Sequence, residues 1–210
     1  NNFFRSHAGF PKFKSKKHSK QSYSLSNHVV KIKQNKIMIA KIGDIKMRGF
    51  REGLGKLISV TVSKTADKYY ASILFDDGLE LPVKPEINPE QTIGIDLGLK
   101  HFITTSAGQK VENPRHIKKQ EARLKRLQRR LSKKKKESKN RQKARIKLAK
   151  EHARLANRRS DFLHKLSTKL IRENQTICIE TLSVESMLQK GWKSMHRAIS
   201  DASWSSFTGM

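Results

Sequence analysis

The hydrophobic period of this chain changes partway along its length. Between residues 25 and 81 apolar and polar positions alternate. "HVVKIKQNKIMIAKIG" holds two such runs about a Gln-Asn turn, and "LGKLISVTVSKTADKYYASILFDDG" holds two more joined through "KTADK". Alternation at period two, rich in β-branched residues, predicts half-buried strands and so an antiparallel sheet or small barrel. "LPVKPEINPEQT" follows, with three prolines between residues 82 and 89, and reads as a linker between domains. Next, "TIGIDLGL" is mostly apolar with a glycine on each side of its single acid, and "HFITTSAGQKV" contains a glycine turn. Together they predict a β-meander. The period then becomes helical. Leu124, Leu127 and Leu131 recur in "ARLKRLQRRL", and Leu148, Leu155 and Phe162 lie seven apart, with Leu166 and Leu170 continuing the stripe. "SKKKKESKN" breaks that seam and marks a hairpin turn between two helices. "NQTICIETLSVESM" predicts a short apolar strand ending in Glu180. In the tail a helix is expected to begin near Ser200, with the Ser200 hydroxyl as its cap and Asp201 as a first-turn acid complementing the dipole.

Composition adds a partner to this outline. The chain has 210 residues, enough for one large or two small domains with a real core. Lys and Arg outnumber Asp and Glu by 46 to 18, a net charge of +28. A field of that sign draws in polyanions, and nucleic acid leads because its neutralised phosphates release counterions. An anionic membrane surface is the weaker alternative. No stretch approaches the roughly 18 apolar residues of a spanning helix, and no signal-peptide core is evident. The single cysteine, Cys178, can form neither an internal disulfide nor a thiolate zinc site by itself. Its setting in "TICIE" reads as a small buried core residue, and a reducing, cytoplasmic compartment fits.

The basic residues are not evenly spread. Phe10 and Phe13 sit among Lys12, Lys14, Lys16, Lys17 and Lys20, an interleaving suited to tracking a nucleic-acid backbone while rings stack on bases. "RLKRLQRRLSKKKK" contains no acid, so Arg129, Arg130, Lys133 and Lys134 are candidate phosphate contacts, which position a ligand without reading its sequence. The chain opens on "NNFF" without an initiator Met and closes on "SSFTGM" in mid-pattern, so a fragment is expected.

The acid inside the apolar strand, Asp96, is costly there unless its charge is compensated. A meander followed by helices and a parallel strand sets the first and fourth strands side by side, through the usual right-handed crossover. Asp96, midway along the first, and Glu180, at the end of the fourth, then converge. Paired carboxylates without His or Cys partners select hard cations, Mg²⁺ or Mn²⁺. Two such ions about 4 Å apart can activate water and stabilise the leaving oxygen of a phosphodiester. Singly, each acid also has an ordinary reading: Asp96 capping the turn at Gly98, Glu180 pairing with a nearby lysine.

The combination of "GIDLGL", "ICIETL", "GFPKFKSKK" and "ISDASW" resembles the TnpB family, transposon-encoded proteins also called OrfB transposases and similar to type V CRISPR effector nucleases. The resemblance covers nearly the whole chain. It implies an α+β molecule: an N-terminal antiparallel β-barrel, wedge-like, with the basic segment in residues 1–90, then a partial RNase H-like (RuvC) nuclease domain in 91–210. A long basic helical hairpin would occupy about 114–172 of the latter. The implied activity is RNA-guided, Mg²⁺-dependent DNA cleavage, with a guide RNA and target DNA as partners. Asp96 carries over as the first catalytic carboxylate and metal ligand, Glu180 as the second. The family pattern continues with two Cys-x-x-Cys pairs that hold zinc and a third catalytic Asp, none of which is in these residues. A chain truncated at both ends in this way is expected to bind nucleic acid and to cut little alone. Two rivals stand beside this reading. An actin-like ATPase or sugar kinase would favour a hydroxyl after Gly98, where Leu99 stands, and has no use for the +28 charge. A non-catalytic nucleic-acid binder, decayed or regulatory, would keep the charge and not the chemistry.

Overall fold

A computed structural model describes residues 21–51, 53–80, 83, 85–190 and 193–210. The chain divides into two compact units, Asn1–Pro82 and Val83–Met210.

In the first unit the alternating runs form strands β1 (Ser22–Ser26), β2 (Val30–Lys33), β3 (Lys36–Ile39), β4 (Gly43–Lys46), β5 (Lys56–Thr65) and β6 (Lys68–Asp76). The expected turns are present: Gln34-Asn35 joins β2 to β3 with Gln34 in the left-handed region at φ 49°, and Ala66-Asp67 joins β5 to β6 with Ala66 at φ 57°. Among the described residues every pairing in this unit is antiparallel. The expected barrel is corrected. A barrel needs one ladder running around its whole perimeter, whereas these strands make two three-stranded sheets, β1–β5–β6 and β2–β3–β4. The 3₁₀ turn Asn27–Val29 carries the chain from one sheet to the other, and among the described residues neither sheet closes. Their inner faces still meet, with Val30, Ile37, Ile39 and Val60 buried in a shared core.

The second unit opens with the meander β7 (Thr92–Leu97), β8 (His101–Thr105) and β9 (Lys110–Glu112), followed by α1 (His116–Ser132) and α2 (Lys139–Glu173). Then come β10 (Thr176–Ile179), α3 (Val184–Lys190), α4 (Lys193–Ala202) and α5 (Trp204–Thr208). The sheet order is β10–β7–β8–β9, with β10 parallel to β7 and the other pairs antiparallel. The proline-rich segment before β7 is tied to this unit. Gln175 accepts from the Asn88 amide at 3.0 Å and donates to the Glu86 carbonyl at 3.1 Å.

The β7–β8 turn is tight because of Gly98, where an added Cβ would lie 2.8 Å from the His101 carbonyl oxygen. Ile95, Leu97 and Ile103 turn one face of the sheet into the core, where Leu163, Leu166 and Leu170 of α2 meet Ile199, Trp204 and Phe207 from the tail. Phe102 is fully buried and sits edge-to-face against Phe162 at 5.2 Å and Phe207 at 5.3 Å, the arrangement that aromatic quadrupoles favour. The helix α2 runs 35 residues, about 50 Å. It starts at Ser138, whose hydroxyl accepts from the Arg141 amide at 3.1 Å, and ends at Asn174, whose side chain donates to the Leu170 carbonyl at 2.9 Å. Arg141 also closes the hairpin by donating to the carbonyls of Leu131 and Lys134.

Candidate active site

The parallel ladder of β7 and β10 pairs Thr92 with Thr176, Ile93 with Ile177, Gly94 with Cys178 and Ile95 with Ile179. Asp96 follows Ile95 as Glu180 follows Ile179, so the two carboxylates emerge one step beyond the last pair. Adjacent strands lie about 4.8 Å apart. Asp96 sits near the C-terminal end of β7 rather than midway along it, and Glu180 is the first residue after β10. Both acids line one shallow, open concavity of about 520 Å³, together with Gly94, Thr104, Ser106 and Cys178. Side chains alternate across a strand, so Gly94 and Asp96 face this hollow while Ile95 and Leu97 face the core.

The ordinary readings of the two acids find no support in the geometry. The Gly98 amide donates to the Phe102 carbonyl at 3.3 Å, not to Asp96. Neither Asp96 nor Glu180 has a side-chain hydrogen bond or ion pair among the described residues, and both are exposed. Thr104 lies directly across from Asp96 on β8. Ser106 fixes the neighbouring backbone by accepting from the Gly94 amide at 3.1 Å. The hollow thus offers two unneutralised carboxylates and two hydroxyl side chains, a set of hard oxygen donors that fits a divalent cation such as Mg²⁺. Among the described residues no group of three His, Cys, Asp or Glu side chains gathers as a metal centre.

Residues 58–191 match the OrfB_IS605 family, described as "Probable transposase". The chain belongs to the TnpB/OrfB transposase family. It is 40% identical over 214 residues to a "Putative RNA-guided DNA endonuclease" of Streptomyces pristinaespiralis, covering 100% of this chain and 52% of that protein. A second relative, the "Putative RNA-guided DNA endonuclease InsQ" of Escherichia coli (strain K12), is 35% identical over 187 residues, covering 89% of this chain and 46% of its own length. A Mycobacterium tuberculosis protein, the "Putative RNA-guided DNA endonuclease MT2953", is 23% identical over 214 residues. The chain therefore spans about half the length of the curated relatives it matches.

Other expected site residues of this TnpB/OrfB chain lie elsewhere. Lys12, Phe13, Lys14, Lys16 and Lys17 fall outside the described residues. Arg129, Arg130, Lys133 and Lys134 are exposed at the far end of α1, about 20 Å along the helix from its start, and do not line the acid-bearing hollow. Cys178 is exposed, not buried, because its side of the sheet is the open one among the described residues.

The tail also departs from expectation. The helix α4 begins at Lys193, so Ser200 and Asp201 belong to its last turn, not its first. Asp201 instead caps a different helix. Both of its carboxylate oxygens accept from the Ile117 amide, at 3.1 and 2.9 Å, at the start of α1, whose own N-cap residue Arg115 offers no side-chain acceptor. Glu151 was missed. It is buried between the hairpin helices and accepts from Arg123 at 3.0 Å and Arg154 at 3.3 Å. Its signal was present in the sequence, since it falls three residues after Leu148 and four before Leu155, at a position where the stripe calls for an apolar side chain.

No helix among the described residues is long and apolar enough to cross a membrane.

Proposed function

We propose that this chain carries part of the catalytic domain of an RNA-guided DNA endonuclease of the transposon-associated type, with a RuvC-type site in which Asp96 and Glu180 are two of the metal ligands. One observation carries the reading: parallel pairing of β7 and β10 delivers two carboxylates, unpaired among the described residues, to the same hollow. The names of the relatives, taken with family membership, support a guide RNA and a target DNA as partners. Mg²⁺ or Mn²⁺ held between the acids would supply an activated water and charge stabilisation for phosphodiester hydrolysis. The chain's own part is to set the two carboxylates at a fixed spacing on rigid strands and, among the described residues, to keep them free of lysine. Each lysine ion pair would otherwise compete with the metal. Thr104 and Ser106 border the hollow, where they can donate to a phosphate oxygen. Zinc belongs to segments of the family pattern that these residues do not include.

The test is Mn²⁺ binding by the 210-residue chain, followed by electron paramagnetic resonance, alongside Asp96→Asn and Glu180→Gln. Each substitution is expected to weaken Mn²⁺ binding at least tenfold without lowering thermal stability, since neither carboxylate has a partner to lose among the described residues. Unchanged Mn²⁺ affinity in both variants would sink the metal assignment. A second reading, a nucleic-acid binder without chemistry of its own, is favoured by the lack of a three-acid cluster among the described residues. It predicts nucleic-acid affinity indifferent to both substitutions and to chelator, together with no metal binding.

A further inference from the structure

The α1–α2 hairpin holds a cluster that the acid pair does not explain. Glu151 has a side chain only 6% exposed, yet its Oε2 accepts from Arg123 of α1 at 3.0 Å and from Arg154 of α2 at 3.3 Å. The two arginines are themselves more than half exposed, at 54% and 61%. One oxygen thus pins two guanidinium groups from different helices at the hairpin surface. A guanidinium has five N–H donors, and each of these spends one on Glu151, which leaves most of each fork pointing outward. A buried ion pair of this kind does little for stability against an apolar replacement, so a stability role alone is a poor account of it.

We propose that Arg123 and Arg154, held in place by Glu151, form a pre-organised clamp for the phosphate backbone of a nucleic-acid duplex. Side-chain entropy normally opposes ordering a long arginine on a ligand, and a residue already fixed has less to lose. The charge along the hairpin suits the same partner, since Arg126 of α1 and Arg158 of α2 lie three and four residues from the clamp arginines, and Arg130 lies four further on from Arg126. The duplex is favoured over a single strand because the hairpin offers unpaired bases no free Phe, Tyr or Trp ring: Phe162, the only one in α1 or α2, packs on Phe102, which leaves only the smaller imidazoles of His152 and His164 exposed on α2. Glu151 acts through the arginines and is a positioning residue. The clamp presupposes the nucleic-acid reading above and adds the residues that carry it.

The sign of one substitution separates this from simple charge attraction. Glu151→Gln removes a negative charge, so a protein that binds only through its net field should bind a polyanion more tightly. A clamp should bind more weakly. The measurement is fluorescence anisotropy of a labelled RNA–DNA hybrid duplex with the 210-residue chain, across a salt series, with melting curves for each variant. Glu151→Gln is expected to raise Kd about fivefold. The double variant Arg123→Lys with Arg154→Lys keeps every charge and the Glu151 partners but loses the forks, and is expected to weaken binding by a similar factor. It also covers the case in which Glu151→Gln loosens the hairpin. Unchanged or tighter binding by a folded Glu151→Gln chain overturns the clamp, as does unchanged binding by the double variant. A wild-type chain that fails to bind the duplex at low salt overturns the nucleic-acid reading as well, which distinguishes the two failures.

Discussion

Asp201 closes the last turn of α4, yet the hydrogen bond it makes is spent on the first turn of α1. The amides there have no intrahelical partner, and a carboxylate at a helix N-terminus both accepts them and complements the dipole. Asp201→Ala is therefore expected to cost about 1 kcal/mol of unfolding free energy, measured by urea titration, with Asp201→Asn losing less because it keeps an acceptor. No measurable loss in Asp201→Ala would mean that water replaces the cap. The neighbouring His116 adds a pH signature. Burial, helped by Lys119, Arg159 and Arg158, holds its pKa below the ordinary 6.5, against the opposing pull of Asp201. A base with a depressed folded pKa binds its proton more tightly when unfolded, so its contribution to stability is complete above pH 6.5 and is lost as pH falls towards the folded value. Between about pH 7.5 and 5.5 the melting temperature of the wild type should fall more steeply than that of His116→Gln; parallel slopes would remove His116 from the account. Sequence spacing placed Asp201 in the wrong turn because its partner is remote along the chain. Local patterns carry no information about tertiary caps.

At the scale of elements, much more was legible. The Gln-Asn and "KTADK" turns, the β7–β8–β9 meander and the basic hairpin follow from period and turn chemistry, and the side-by-side placement of Asp96 and Glu180 follows from the return of β10 as a parallel neighbour of β7. Two features were not. Closure of a barrel depends on which strands form the edges, and alternation within a strand says nothing about its neighbours. The heptad of Leu148, Leu155 and Phe162 also misplaces the core further along α2, where Leu163 is 2% exposed and Phe162 only half-buried. A straight helix drifts about 20° per heptad, so after two repeats a strict seven-residue stripe has turned about 40° from the centre of its face, and Phe162 packs at the edge of the core. Leu163→Ala should accordingly cost about 3 kcal/mol, while Phe162→Leu should cost less than about 1.5 kcal/mol. Denaturation followed by the helical far-ultraviolet signal checks the order; equal losses would restore Phe162 to the centre of the core.

For the whole molecule, the net charge of +28 and the acid-bearing hollow pull in different directions: one calls for a polyanion, the other for cations. Both are satisfied if the polyanion brings its phosphates to a metal held by Asp96 and Glu180, while lysines and arginines away from the hollow carry the binding energy. Affinity and chemistry then separate in the response to salt. Each phosphate neutralised by the protein adds about 0.9 to the negative slope of log K against log salt on duplex DNA. Replacing Arg129, Arg130, Lys133 and Lys134 together by Gln should flatten that slope by about one for each of the four that touches a phosphate, and should weaken binding without sequence preference. Asp96→Asn should leave the slope where it was. A slope untouched by the fourfold change would make that end of α1 a solvated face and nothing more, and would shift the search for phosphate contacts to the rest of the hairpin and to the lysines of the first unit.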